Sequence, residues 1–286
     1  MVALLRSGTL PWQRYADLVE ETGSAVDLLA HEAPRTGEQT TLFAPDAERL
    51  MAEARAELDG WQAAGIDVLT VLDAGYPDNL RTVHDRPPLV FVAGRLLPAD
   101  AKSLAVIGSR TATPIGIEIA TEIAIHLLQA GYTVVSGLAA GIDTTAHTAA
   151  LRRGGRTVAV IGTGLEHAYP AENAKLQAQI ADAGAVVSQF WPDAKPSRRS
   201  FPMRNGVMSG LTLGSIVVEA SHTSGARLQA RLALAHGRLV FLHHTLVRRE
   251  PWAREFAARP GTHVFDRPDQ ITEITERLTA ESALVE

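Results

Sequence analysis

SLAVIGSRTATPIG, residues Ser103–Gly116, is the stretch whose reading decides the fold. Leu104–Ile107 is a short β-branched and apolar run of the kind that is buried on both faces of a sheet. Gly108-Ser109-Arg110 then turns the chain. Thr113 and Pro114 supply an N-cap and a first-turn proline for a helix predicted to run to Gly131. Strand, glycine turn and helix N-terminus in this order bring free backbone N–H groups and the positive end of a helix dipole to one point, which suits an anion and above all a phosphate. Arg110 adds a planar fork of donors at the same place. A plain βα connection needs the same glycine, so on this stretch alone the two readings stand level.

Downstream, β-branched runs alternate with helical periodicity. The runs are 132–136, 157–162, 185–188, 215–219, 238–242 and 262–265; the helical patterns are 114–130, 142–152, 171–183, 224–236 and 268–279. Strands apolar on both faces, separated by helices, predict an α/β fold with a mostly parallel sheet covered on both sides. Upstream, residues 9–30 and Pro45 to about Ala64 carry helical spacing, and residues 32–44 lack periodicity and suit an exposed connection. From Ile66 the pattern turns to strand, DVLTVL and then PPLVFVAG at 87–94. The expected organisation is a small helical module at 1–64, SAM-like or helix-hairpin-helix-like, followed by one α/β domain at 65–286.

Composition narrows the chemistry. The 286 residues carry a net charge of −5, but residues 1–100 hold 8 basic against 16 acidic side chains and residues 101–286 hold 19 against 16. A polyanion site is therefore expected in the second part. The absence of cysteine excludes disulfides, a thiol nucleophile and a zinc ribbon. No apolar run reaches membrane-spanning length, and Arg6, Gln13, Arg14 and Asp17 interrupt any signal-peptide core, so a cytoplasmic protein without a membrane partner is expected.

In a parallel sheet, ligands bind at the carboxyl ends of the strands. Those ends carry Gly137 and Gly141, Gly162 and Gly164, and Glu219 followed by Ser224-Gly225. Four small or polar loops on one rim favour a ligand groove. Neither G-x-G-x-x-G nor G-x-x-x-x-G-K-[ST] occurs, which weakens a redox or NTPase reading. Asp143 and His147 share a helix face, but with no further ligand at a diagnostic spacing they read as a helix-start carboxylate and a hydrogen-bonded core histidine. No metal ligand, cofactor or catalytic residue is named. Residues 190–205, FWPDAKPSRRSFPMRN, place Lys195, Arg198, Arg199 and Arg204 among Trp191 and Phe201 in a segment that its prolines keep extended. Cations neutralise phosphates and aromatic faces stack on unpaired bases, a combination suited to a single strand.

GSRTATPIG, SGLAAGIDTTAH, GTGLEHAYPAEN, FPMRN, SGLTLGSIVVEA and TSGARLQARLAL, in this order, resemble the DNA processing protein A (DprA/Smf) family over residues 66 to about 242. The resemblance implies an extended Rossmann-like domain that binds single-stranded DNA, dimerises, protects incoming strands in natural transformation and helps load the RecA recombinase. Carried onto this chain, it implies that Gly108, Ser109 and Arg110 hold a backbone phosphate. Gly137 and Gly141 would let the strand approach, and Phe201, Arg204 and Asn205 would line the same groove. Four departures stand out: Gly206 replaces a second arginine after Arg-Asn, the family's Ser-Gly-Ser loop appears as Ser224-Gly225-Ala226 followed by Arg227, residues 243–261 differ from the family pattern, and the winged-helix module carried by many members is expected to be missing. The alternative expectation is a nucleotide-binding sensor or enzyme of related fold, with Glu219 contacting the ribose or base, or doing acid/base work.

Overall fold

A computed structural model describes residues 1–8, 10–32 and 45–283. From residue 33 onward, the connection expected over 32–44 lies outside the described residues. Four helices come first: α1 (Val2–Ser7), α2 (Trp12–Thr22), α3 (Ala25–Glu32) and α4 (Pro45–Ala63). The change from helix to strand falls between Ala63 and β1 (Ile66–Thr70), followed by the short α5 (Asp78–Arg81) and β2 (Leu89–Gly94). Then come β3 (Ser103–Ile107), α6 (Pro114–Gln129), β4 (Thr133–Ser136), α7 (Ile142–Arg152), β5 (Thr157–Val160), α8 (Ala174–Ala183) and β6 (Ala185–Ser188). The chain ends with α9 (Ser200–Leu211), β7 (Gly214–Val217), α10 (Gly225–Ala235), β8 (Leu239–His243), α11 (His244–Arg249), α12 (Pro251–Ala257), β9 (Thr262–Phe265) and α13 (Pro268–Ala283).

The nine strands form one sheet in the order β1-β2-β6-β5-β4-β3-β7-β8-β9. All pairs from β6 to β9 are parallel, and β2 joins β6 antiparallel, with Phe91 opposite Ser188. The expected mostly parallel α/β sheet is what forms, because β3 to β7 are fully buried and only a helix crossover can return the chain to start another parallel strand.

The helices at the N-terminus are not a detached unit. Leu4, Tyr15, Val19 and Leu29 share one continuous core with Leu89, Phe91 and Val187 of the sheet. An aromatic cluster fastens this junction. The Trp191 ring lies 5.1 Å from Trp12 and 5.9 Å from Trp61, while Trp61 meets Phe91 at 5.1 Å. The Arg6 guanidinium sits 3.8 Å above Trp191. Trp191, read from sequence as part of a basic-aromatic binding stretch, is thus spent on packing. The reason is that it leaves β6 on the side where α2 and α4 lie. Trp191→Ala should cost about 3 kcal/mol of stability in urea unfolding and alter the near-ultraviolet dichroism; a loss below about 1 kcal/mol would show that the cluster does not hold the junction.

Candidate functional site

β3 sits where the sheet order reverses, with β4, β5 and β6 following on one side and β7, β8 and β9 on the other. At such a switch point the loops leave in opposite directions and open a crevice. A cavity of about 440 Å³ occupies it. Gly108, Ser109, Arg110 and Thr111 line it after β3, Ala139 and Asp143 after β4, and Ser221, Thr223, Ser224 and Gly225 before α10. The third wall is α9, with Phe201, Arg204, Asn205 and Met208. Segment 190–205 is therefore not extended throughout: Ser200 starts a helix, which presents Phe201, Arg204 and Asn205 to the groove on one face.

At the groove's rim, side chains from two loops and from α9 meet. The Arg110 guanidinium lies 5.5 Å from the Phe201 ring, and Phe201 lies 5.3 Å from Tyr169, which is 43% exposed. Gly162 makes room for this: a Cβ there would stand 2.7 Å from Phe201 Cδ1. Arg110 is exposed, as are Lys195, Arg198 and Arg199 on the segment that enters α9. An exposed guanidinium against two neighbouring rings suits a phosphate and offers aromatic faces in one place.

Beneath the rim the polar groups are committed to the protein. Arg204 is buried, and its Nη1 donates to the carbonyls of Gly137 and Val160. Through Nη1 it braces the ends of β4 and β5, while its buried Nε has no partner among the described residues, and only glycine at 137 leaves space for its guanidinium. Asp143, buried beside it, accepts from the Gly137 and Ala139 amides at 3.1 and 3.4 Å. Burial pushes its carboxyl above the ordinary carboxylate range, and the charge of Arg204 and these amides oppose the shift. Gly141 adopts φ 79°, and its neighbour Ile142 donates N–H to Ser109 O at 3.1 Å, so the β4 loop carries the Gly108-Ser109-Arg110 turn. Gly108 fits against Ile142 and the Glu219 carbonyl, while Gly164, buried under Trp191 and Pro192, donates to Ala194 O at 2.8 Å.

The helix end expected to take an anion is already filled. Glu219 accepts from Thr113 N at 3.0 Å and from Thr113 Oγ1, while Thr113 Oγ1 accepts from Gly116 N at 3.0 Å. A Cβ at Gly116 would stand 2.6 Å from Glu219 Oε2. The carboxylate is thus the anion at the α6 N-terminus, with both oxygens engaged by Thr113. The helix start that does face the groove is that of α10, where Ser224 caps the Ala226 amide at 3.2 Å, Gly225 is exposed, and Asn205 Nδ2 donates to Gly225 O at 3.4 Å. Sequence reasoning passed over Thr111, Met208, Ser221 and Thr223, whose only signal was adjacency to the glycine loops. The divergent residues 243–261 lie alongside: Thr245, Leu246 and Arg249 line a second cavity of about 250 Å³ that shares Ser109, Thr111 and Ser221 with the first.

An open α/β sheet with a groove at its switch point, walled by a basic-aromatic rim and a helix N-terminus, defines the class of protein. The chain belongs to the DprA/Smf family: the family model described as DNA recombination-mediator protein A matches residues 67–273. It is 34% identical to DNA processing protein DprA of Bacillus subtilis over 200 residues, which are 70% of this chain and 65% of that one. It is 42% identical to DprA of Streptococcus pneumoniae over 172 residues, 60% and 61% of the two chains, and 38% identical to protein Smf of Escherichia coli over 209 residues, 71% and 56%. The chain thus spans between about half and two thirds of the length of these relatives. The solved DprA of S. pneumoniae superposes with a TM-score of 0.74 at 28% identity, covering 95% of each chain. DprA of Helicobacter pylori, whose structure is described for its single-stranded DNA binding mode, shares the fold with a TM-score of 0.65 at 24% identity, covering 76% and 96%.

His147, at the end of the Asp143 helix turn, is fully buried with Nδ1 2.7 Å from Thr157 Oγ1, as expected of a core histidine. Burial pushes its pKa down from 6.5 to about 3. Between these values the unfolded chain binds a proton that the folded one does not, so stability present above pH 6.5 is lost on acidification toward pH 3. In His147→Gln the slope of unfolding free energy against pH in this window should shrink by about 1.4 kcal/mol per pH unit. Urea titrations at several pH values check this, and an unchanged slope would refute it.

Proposed function

We propose that this chain binds single-stranded DNA, without sequence preference and without catalysis, in the groove at the carboxyl ends of β3, β4 and β7. The observation that carries the reading is the run Arg110–Phe201–Tyr169 along the rim, with exposed Lys195, Arg198 and Arg199 on the segment that leads into α9. Phosphates meet Arg110, the Gly108-Ser109 turn and the α10 start, while bases lie against Phe201 and Tyr169. Gly137, Gly141, Gly162, Gly164 and Arg204 act one layer down, holding the loops that touch the strand. Membership of the DprA/Smf family and the single-strand binding described for the H. pylori protein support this reading. The same relationship supports a cytoplasmic homodimer that protects incoming strands in transformation and hands them to a RecA recombinase.

A nucleotide sensor or enzyme loses its best residue, because Glu219 is held by Thr113. Fluorescence anisotropy with labelled oligonucleotides decides the matter. Arg110→Ala should weaken single-strand binding about tenfold, equally for all base sequences, and lower the slope of log affinity against log salt by about 1. Competition by duplex or by a mononucleotide as effective as competition by single strands would overturn the proposal.

A further inference from the structure

Gly206, the departure that the groove does not explain, points away from the groove. A Cβ built there would stand 3.4 Å from Asp85 Oδ2. Around that carboxylate the fold gathers two imidazoles from distant parts of the chain. One ligand atom from each of His84, Asp85 and His236 falls within 4.8 Å of the others. His236 Nε2 and Asp85 Oδ1 are 2.8 Å apart. Both atoms are buried, and the imidazole and the carboxylate stand in direct contact as a charge-paired couple. On its other side His236 Nδ1 lies 2.7 Å from Ser209 Oγ, which fixes the ring and aims Nε2 at the carboxylate. The His84 ring stands edge-on to His236, centroids 5.4 Å apart at 75°, and is exposed.

We propose that His84, Asp85 and His236 bind a divalent transition-metal ion of the zinc class. Two imidazole nitrogens and one carboxylate oxygen are the donors that select such an ion over Mg²⁺ or Ca²⁺, which take oxygen. Ser209 supplies the second hydrogen bond that metal-bound histidines characteristically make. The exposed side at His84 leaves a fourth position to water, and glycine at 206 leaves Asp85 Oδ2 without a side chain against it. A plain histidine–aspartate ion pair would need only Asp85 and His236; His84 brings a third ligand atom within 4.8 Å of theirs, as an ion held by all three requires.

The placement gives the ion a structural consequence. His84 and Asp85 lie between α5 and β2, Ser209 lies on α9, and His236 follows α10 directly. The ion would tie the far end of α10, itself joined to α9 through Ser209, to the connection between α5 and β2. The proposal does not depend on what the groove binds.

Isothermal titration of the chelator-stripped full chain with Zn²⁺, and the visible d–d spectrum on titration with Co²⁺, test it. The expected result is one ion per chain, a Co²⁺ spectrum of a four-coordinate nitrogen/oxygen site, no competition from Mg²⁺, and a rise in Tm with Zn²⁺. His84→Ala, an exposed position outside the core, should leave the metal-free Tm unchanged and weaken Zn²⁺ binding at least tenfold; His236→Gln should abolish it. Absence of saturable Zn²⁺ binding, or binding that His84→Ala leaves unchanged, would overturn the proposal.

Discussion

The guanidinium of Arg204 is buried between the ends of β4 and β5, and the arrangement of the groove depends on it. A buried cation is costly unless its donors are satisfied and a negative charge lies near. Here two backbone carbonyls, Gly137 O and Val160 O, accept from Nη1, and Asp143 supplies the charge from the first turn of α7. Asp143 in turn accepts the amides of the β4 loop. That loop holds the β3 turn through Ile142 N and Ser109 O. One side chain on α9 therefore fixes the position of loops that leave three different strands.

The second constraint is that α6 cannot share its N-terminus. An uncapped helix start at a switch point would attract any anion in the groove. Glu219, which follows β7, fills it from within the protein and joins the β3 and β7 loops across the reversal in strand order. The proposed strand is left with Arg110 and the start of α10. This moves the phosphate path toward α9 and α10 and away from α6, where Ile115 is 65% exposed beside the same turn.

Much of this was legible in the chain itself, for physical reasons that can be named. Strands buried on both faces have no polar side to mask them, so their runs and the parallel sheet were plain from residue 103 onward. The strand ends pointed to the rim where the cavity opens, because parallel strands must present their loops together. Which way a side chain turns was not legible. Arg204 and Trp191 sit in the same basic-aromatic segment as Lys195 and Arg199, yet the first two face inward. Only the start of α9 at Ser200 and the position of α2 and α4 decide that. Glu219 looked available because its partner, Thr113, comes from the loop after β3, a strand adjacent to β7 in the sheet but distant in sequence. The same holds for His84, Asp85 and His236, which no spacing rule could join.

Phe201 shows how closely the rim and the layer beneath it are linked. Its ring is half-buried over Gly162, sandwiched in sequence between a basic loop and the bracing Arg204, and it meets Arg110 on one side and Tyr169 on the other. A ring free to rotate would lose much of its stacking energy to ordering on each binding event. Held by a glycine floor and a helix that Arg204 pins to the sheet, it is ordered beforehand. Stacking on such a surface is indifferent to base identity, since every base has a π-face. An ordered aromatic seat with the exposed Arg110 against it therefore suits the proposed strand, which it would hold while leaving its sequence unread.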